Sequence, residues 1–471
     1  ADTDSAMTRA SASAIHFFMG VPPKHVVLIS LEYITISYFC KVPQNMPESL
    51  RPEIICAILV PENTPGGNHM PKTERKILDR LIQYRYWLFL LASTALAWLA
   101  RKGCMDHSSP DMNVFLVPWY EQIVENGGFR ALAQGVGDYN VLYQTLICLF
   151  SYIPLGGMSP MYLYKAVSIF FDFLLALVCG YVAAREKGEA LPGKTFCTAY
   201  ALVLMIPTVI LNSSVWGQCD SMYTSVCILA LYLLYRQRYP ASFALLGIAF
   251  GLKLQTVFIL PVYLYFYVSR KNFSLGYFLL TLGVFWATGI PAYLAGRPLT
   301  SVFDIYAYQT TEYPDMISNA LSIWYFFYPR YKHMRQAAIM LTAFLLGLYL
   351  FWLLNHGGKL KETPLSFFTL AAWSAWTCLL FLPAMHDRYG YLLDALLVLL
   401  CFLDSRYVRY AAPQILCSGV VYTGYLYVYM WNEKMPYATP IAAAIASLVS
   451  FGMWLHMGLR VLPGFVEEAA A

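Results

Sequence analysis

Apolar blocks of roughly 17 to 25 residues recur along this chain from Tyr84 to the C-terminus, each long enough to cross about 30 Å of hydrocarbon, with polar or basic breaks between them. The blocks read as membrane helices, and the fold class they imply is an all-α, polytopic transmembrane helical bundle. Composition agrees: 59% of the 471 residues are hydrophobic and 13% are charged, about half the charged share of a soluble domain. A net charge of +5 does not point to nucleic acid. Lys and Arg stand at the ends of the blocks, where they report topology, and no basic patch interleaved with exposed aromatics is evident. The eleven cysteines form no CxxC or Cys/His spacing, and most, such as Cys148, Cys179, Cys227, Cys378 and Cys401, fall inside apolar runs as small buried hydrophobes.

Residues 1–69 are richer in Pro and polar residues, and their one apolar run is interrupted by Glu32. Met70 opens the segment MPKTERK just before the first apolar block, so the expectation is an N-terminal extension over 1–69 and a membrane domain over 70–471. Basic residues ahead of the first span, 84–100, place its N-terminus in the cytoplasm. Further spans are expected at 161–184, 196–211, 221–235, 241–254, 255–268, 273–295, 337–354, 364–382, 389–403, 410–430 and 438–459. The basic loops at Arg185, Arg236, Arg270, Lys359 and Arg406 share one side only if the short run 141–152 is not a crossing. That choice gives twelve spans, both termini cytoplasmic, and outward regions at 101–160, 212–220, 296–335 and 383–388.

Ionisable side chains at membrane depth cost about 2.5 to 3.5 kcal/mol each on insertion scales, so those retained there are functional candidates. In the first outward region Pro118 opens a short amphipathic helix that ends at Gly127 and lies along the membrane surface. Asp111 stands just ahead of it and has two readings, a general base at the mouth of a cavity or a cap of the following turn. Asp138, in GVGDYN beside Tyr139, likewise reads as a substrate contact or as a helix cap. Trp216, Gln218 and Asp220 fall together in WGQCDS. An aromatic ring can cover the apolar face of a pyranose while an amide and a carboxylate take its hydroxyls, whereas the plainer reading is a capped helix with an interfacial Trp. Lys165, Lys253 and Arg388 supply cations for a phosphate. Snorkelling accounts well for Lys165 and poorly for Lys253, which has apolar sequence on both sides. His386, Asp387 and Arg388 are consecutive, so on a helix they would point about 100° apart and could not all face one ligand.

In chain order the residues Asp111, Phe115, Leu116, Pro118 and Trp119, then Asp138, Tyr139, Asn140 and Tyr143, then Tyr164, Lys165 and Asp172, then WGQCDS from Trp216, KLQ from Lys253 and MHDRY from Met385 form a pattern that resembles bacterial GT-C-type membrane glycosyltransferases, relatives of the GPI-anchor mannosyltransferases. The resemblance spans about residues 111–403. It is similar, more distantly, to dolichol-pathway glucosyltransferases, from whose His-Glu-Lys motif MHDRY departs. The resemblance implies a long first extracytoplasmic loop bearing amphipathic surface helices and a second outer loop, 296–335, closing over a lipid donor. It implies a sugar donor on a polyprenyl phosphate, a glycan or lipid-linked acceptor, and a site facing outward from a bacterial cell membrane. With those roles, Asp111 is the expected base of an inverting transfer. Asp138, Tyr139, Trp216, Gln218 and Asp220 position the sugars, and Lys165, Lys253, His386 and Arg388 hold the phosphate. No closed ligand set demands a metal; a divalent ion, Mg or Mn, bridging Asp111 and the phosphate stays open without being obligatory. A lipid-linked sugar transporter or flippase and a polysaccharide polymerase remain as rival readings.

Overall fold

The computed structural model describes residues 70–312, 315–327, 331–431 and 438–467; the expected extension, 1–69, lies outside them. The chain divides into two compact units, Ala1–Asp79 and Arg80–Ala471. Of the first, residues 70–79 are described, and from Lys72 they form exposed helix. All that follows concerns the second unit.

That unit is helical, with one two-residue strand pair among the described residues. We number the helices α1 Lys72–Lys102, α2 Val117–Glu125, α3 Val141–Ser151, α4 Pro160–Glu186, α5 Lys194–Leu204, α6 Pro207–Ile210, α7 Asp220–Tyr235, α8 Tyr239–Leu252, α9 Leu260–Arg270, α10 Gly276–Ala287, α11 Ile290–Ala295, α12 Ser301–Glu312, α13 Tyr331–Asn355, α14 Pro364–Phe381, α15 Tyr391–Leu403, α16 Val408–Trp431 and α17 Ala438–His456. Four helical stretches are long and apolar enough to cross a membrane, Pro160–Glu186, His333–Asn355, Pro364–Phe381 and Pro440–Phe465, and a fifth is the pair Lys194–Leu204 and Pro207–Trp216, bent by 59°. The 11 residues of α3 reach roughly 16 Å at 1.5 Å per residue, about half the hydrocarbon thickness.

Local sequence explains where the long helices start. Ser159 caps α4, its hydroxyl accepting from the Met161 N–H, with Pro160 in the first turn where its missing donor costs nothing. Thr363 and Ser366 form a reciprocal capping box at α14, again with Pro in the first turn. Helix α14 is the centre of the bundle: every residue from Ser366 to Phe381 is buried, and it packs against α7, α9, α13, α15 and α17. Helix α13 is peripheral. It leaves Met340, Phe344 and Phe351 more than 60% exposed, an apolar surface suited to lipid and unsuited to water.

The basic loops converge at one end of the bundle. Lys187 Nζ donates to the Leu403 carbonyl at 3.4 Å, Arg236 pairs with Glu186 at 3.7 Å, and Arg270 pairs with Glu362 at 2.9 Å while donating to the carbonyls of Leu234 and Tyr235.

The opposite end is built from two long loop regions. Gly137 (φ +68°) lies against Trp119, and a Cβ there would sit 2.4 Å from the indole, so only glycine lets the two halves of the first region close on each other. Asn140 donates to the Val302 carbonyl at 2.9 Å, Arg297 donates to Gln144 at 2.9 Å, and Gln309 donates to the Asp138 carbonyl, fastening the second region to the first. The second region is fastened to the 382–390 loop too. Ile317 and Ser318 pair in parallel with Met385 and His386, and the Trp324 indole donates to the Phe381 carbonyl at 2.9 Å.

Candidate active site at the polar end

A cavity of about 490 Å³ opens at this end, between the first loop region, the breaks after α6 and α8, the second loop region and the 382–390 loop. Asp111, Asp138, Tyr139, Gln218, Lys253, His386 and Arg388 all line it. They come from five separated stretches of chain, each near the end of an apolar block.

Asp111 does not cap the turn it precedes. The Met112 N–H is taken by the Ser109 hydroxyl at 3.1 Å, and Asp111 makes no capping bond. Its Oδ2 accepts instead from the Trp216 indole Nε1 at 2.8 Å and from Gln218 Nε2 at 3.2 Å; Oδ1 takes no hydrogen bond from the described residues. Trp216 and Gln218 reach the carboxylate because Gly217 between them is left-handed (φ +74°), and a Cβ on Gly217 would meet the Met112 methyl at 2.4 Å. Tyr139 donates to Gln218 Oε1, which fixes the amide so that its NH₂ faces Asp111. Asp138 is likewise not the helix cap. Asn140 caps α3, accepting from the Val141 N–H at 2.8 Å, and Asp138 stays on the cavity wall.

Lys253 marks the break after α8. Its backbone is extended (φ −157°, ψ 138°) between α8 and the 3₁₀ turn Leu254–Ile259. Its ammonium is 2.5 Å from Asp220 Oδ1, with both side chains nearly or fully buried, and lies 5.4 Å from the Tyr389 ring centre. Asn212 Nδ2 completes the other oxygen of Asp220 at 2.9 Å. An ion pair removed from water this far is secured by its additional hydrogen bond, and losing one partner strands the other charge.

The MHDRY segment departs from a helical reading. Met385 and His386 are strand, and a 3₁₀ turn starts only at Asp387. Extended backbone at His386 alternates side-chain direction, so His386 and Arg388 both line the cavity while Asp387 is buried behind them. Burial, reinforced by Arg388 and Lys253, pulls His386 down to about 3. Its ring is neutral at physiological pH and offers phosphate a hydrogen bond in place of a charge.

Three expected site residues are placed elsewhere. Lys165 is fully buried and donates to the carbonyls of Cys104 at 3.3 Å, of Met105 at 2.9 Å, and of His107; it ties down the chain after α1 and does not line the cavity. Trp216 is 1% exposed, so its ring is a support for Asp111 and offers no free face to a sugar. Asp220 is fully buried and acts on the cavity through Lys253 and Arg388. Conversely, Trp119, Asn140, Gln255, Tyr306, Gln309 and Arg335 line the cavity. A polar strip on the helix of the second outer region, Tyr306, Gln309 and Thr310 at i, i+3 and i+4, was the available signal for two of them.

No protein-family model matches this sequence, and no curated protein aligns with it significantly. The site is therefore read from its own chemistry. Among the described residues no group of three or more His, Cys, Asp and Glu side chains is placed to hold a metal ion. What the arrangement offers is a fixed carboxylate, Asp111, and the basic side chains Lys253 and Arg388 around one volume that aromatic and amide side chains also line.

Proposed function

We propose that this chain is a GT-C-type membrane glycosyltransferase that moves a single hexose, mannose-like, from a polyprenyl-phosphate donor to a glycan or lipid-linked acceptor with inversion. The observation that carries the reading is that Asp111, oriented by Trp216 and Gln218, shares one cavity with Lys253, His386 and Arg388. Asp111 takes the proton of the acceptor hydroxyl as its oxygen bonds to the anomeric carbon. The bond from that carbon to the phosphate oxygen breaks, and the phosphate leaves with one further negative charge. Arg388 and Lys253 stabilise that charge in a site poor in water, and the Asp111 proton later returns to solvent. Trp119 and Tyr139 offer rings for a pyranose, with Asp138, Asn140 and Gln309 beside them for its hydroxyls.

A lipid donor fits the cavity's other wall. Val257 and Ile339 line it and are 37% and 43% exposed, Ile339 standing on the peripheral helix α13, so an isoprenoid chain has an apolar way out between them. In this reading twelve crossings place the basic loops in the cytoplasm by the positive-inside rule, with both termini there and the cavity facing outward from a bacterial membrane. No metal is assigned.

The test is transfer by purified protein from a panel of polyprenyl-phosphate sugars, comparing wild type with Asp111→Asn. One sugar should be consumed, and the substitution should lower kcat by roughly 10² to 10⁴-fold, the usual contribution of a general base. Near wild-type turnover in Asp111→Asn removes the base assignment, and consumption of no donor removes the transferase reading.

A further inference from the structure

Three carboxylates surround one guanidinium in this site. Arg388 Nη1 is 3.9 Å from Asp111 Oδ2 and 3.9 Å from Asp387 Oδ1, and Arg388 Nε is 3.9 Å from Asp220 Oδ2. None of these is a hydrogen bond, since N–H···O contacts close at about 2.7 to 3.2 Å. Arg388 Nε and Asp387 Oδ1 are both buried with no hydrogen-bond partner among the described residues. A guanidinium suspended between three acids, with donors unspent, is poised to turn to a further anion.

The charge inventory opposes such an anion. Asp111, Asp220 and Asp387 face the two fixed cations Lys253 and Arg388, and His386, pulled down to about 3, adds none. The ionisable groups acting on Asp387 are Arg388 and Tyr389 of its own turn, Asp111, Asp220 and, on α16, Tyr422. The other helices packed on this turn leave that set unchanged: α14 has no acidic or basic side chain, and α15 commits Tyr391 to Asp172 and Asp394 to Thr208 and Ser418. With all three acids ionised the site around Arg388 holds one negative charge in excess, Asp138 and Arg335 of the same cavity lining cancelling each other in the count, and a bound phosphodiester makes it two, at low local dielectric where repulsion is strong.

We propose that Asp387 is the charge-balancing residue of the anion site, taking up one proton from solvent when a phosphodiester binds and so freeing Arg388 for the phosphate. The step makes and breaks no covalent bond except at the carboxyl O–H. Asp387 is the acid suited to it. Asp220 is held by Lys253 and Asn212 and Asp111 by Trp216 and Gln218, whereas Asp387 Oδ1 has no hydrogen bond among the described residues. Burial pushes Asp387 up to about 7 against the pull of Arg388, with Asp220 and Asp111 adding to the rise. The phosphate's identity rests on the transferase reading; the protonation of Asp387 does not.

The sign follows from linkage. The complex holds a proton that the free protein loses above about pH 7, so affinity for the anion is level below that pH and falls tenfold per pH unit above it. The full chain in detergent would be titrated calorimetrically with farnesyl phosphodiesters of several hexoses, whose phosphate does not titrate near neutrality, in two buffers of different ionisation heat. Wild type should take up close to one proton per diester at about pH 8. Asp387→Asn should bind with no uptake and with a flat pH profile, and Asp387→Glu should restore uptake. Binding by wild type without uptake, or equal uptake in Asp387→Asn, overturns the proposal. If no diester binds wild type, the transferase reading is what fails. An infrared arm on ligand-free protein still decides: a protonated-carboxyl band at about pH 6 that Asp387→Asn lacks is expected, and its absence in wild type overturns the assignment.

Discussion

The Trp216 indole N–H and the Asp111 carboxylate, 2.8 Å apart, come from opposite sides of the cleft between the first loop region and the turn before α7. A ring that the sequence would give to a sugar is spent on aiming an acid. Because Trp216 is buried, its replacement by Phe keeps the packing and removes the donor. Trp216→Phe should lower kcat by about 10 to 100-fold, the scale of a misaimed reacting group, while donor KM stays within about twofold. Steady-state kinetics with the donor identified above check this. A large KM change with kcat intact would mean that Trp216 binds substrate directly.

Lys253 and Asp220 form the buried pair under the cavity floor. Lys253→Met leaves Asp220 charged and short of its counter-ion, so unfolding stability should fall by about 3 to 5 kcal/mol. The double variant Lys253→Met with Asp220→Asn carries no stranded charge and should regain most of that loss without regaining transfer. Thermal unfolding in detergent together with activity separates the two effects; a single variant as stable as wild type contradicts the pairing.

Lys165 reaches three backbone carbonyls just after α1 and belongs to structure. Lys165→Met should cost about 1 to 3 kcal/mol through the partners it strands and leave donor KM within about threefold. A KM rise beyond about tenfold at unchanged stability would return Lys165 to the phosphate.

His386 and Asp387 shift in ways that oppose each other. Burial lowers His386 to about 3, so between that value and about pH 6.5 the unfolded chain binds the proton and the folded protein does not; this contribution to stability grows as pH rises. Burial raises Asp387 to about 7, so between about pH 4 and pH 7 the folded protein holds the proton, and this contribution is lost as pH rises. His386→Gln should therefore stabilise more at about pH 5 than at about pH 8, and Asp387→Asn more at about pH 8 than at about pH 5, each difference on the order of 1 kcal/mol or more. Melting curves at both pH values check the signs. Equal shifts at the two would show that neither group titrates as assigned.

Reading the chain alone locates the ends of apolar blocks, and the acids and cations gathered there do meet: Asp111, Asp138, Tyr139, Gln218, Lys253, His386 and Arg388 line one cavity. The same signal attaches to Trp216, Asp220 and Lys165, which the structure turns inward. Side-chain direction at a helix end depends on a few backbone angles, such as the left-handed Gly217 and the extended Lys253, and these are chosen by packing partners distant in sequence. The strand pairing of 317–318 with 385–386 left no pattern to read, because two residues are too short for a period.

Composition and block length by themselves determined that this chain is helical and suited to a membrane, since apolar side chains must leave water wherever they end up. Which carboxylate would be aimed, which paired and which left without a partner was decided only by the tertiary structure. Those outcomes turn on separations of about an ångström among groups brought together by the bundle, a scale at which a hydrogen bond forms or fails, and no linear spacing encodes it.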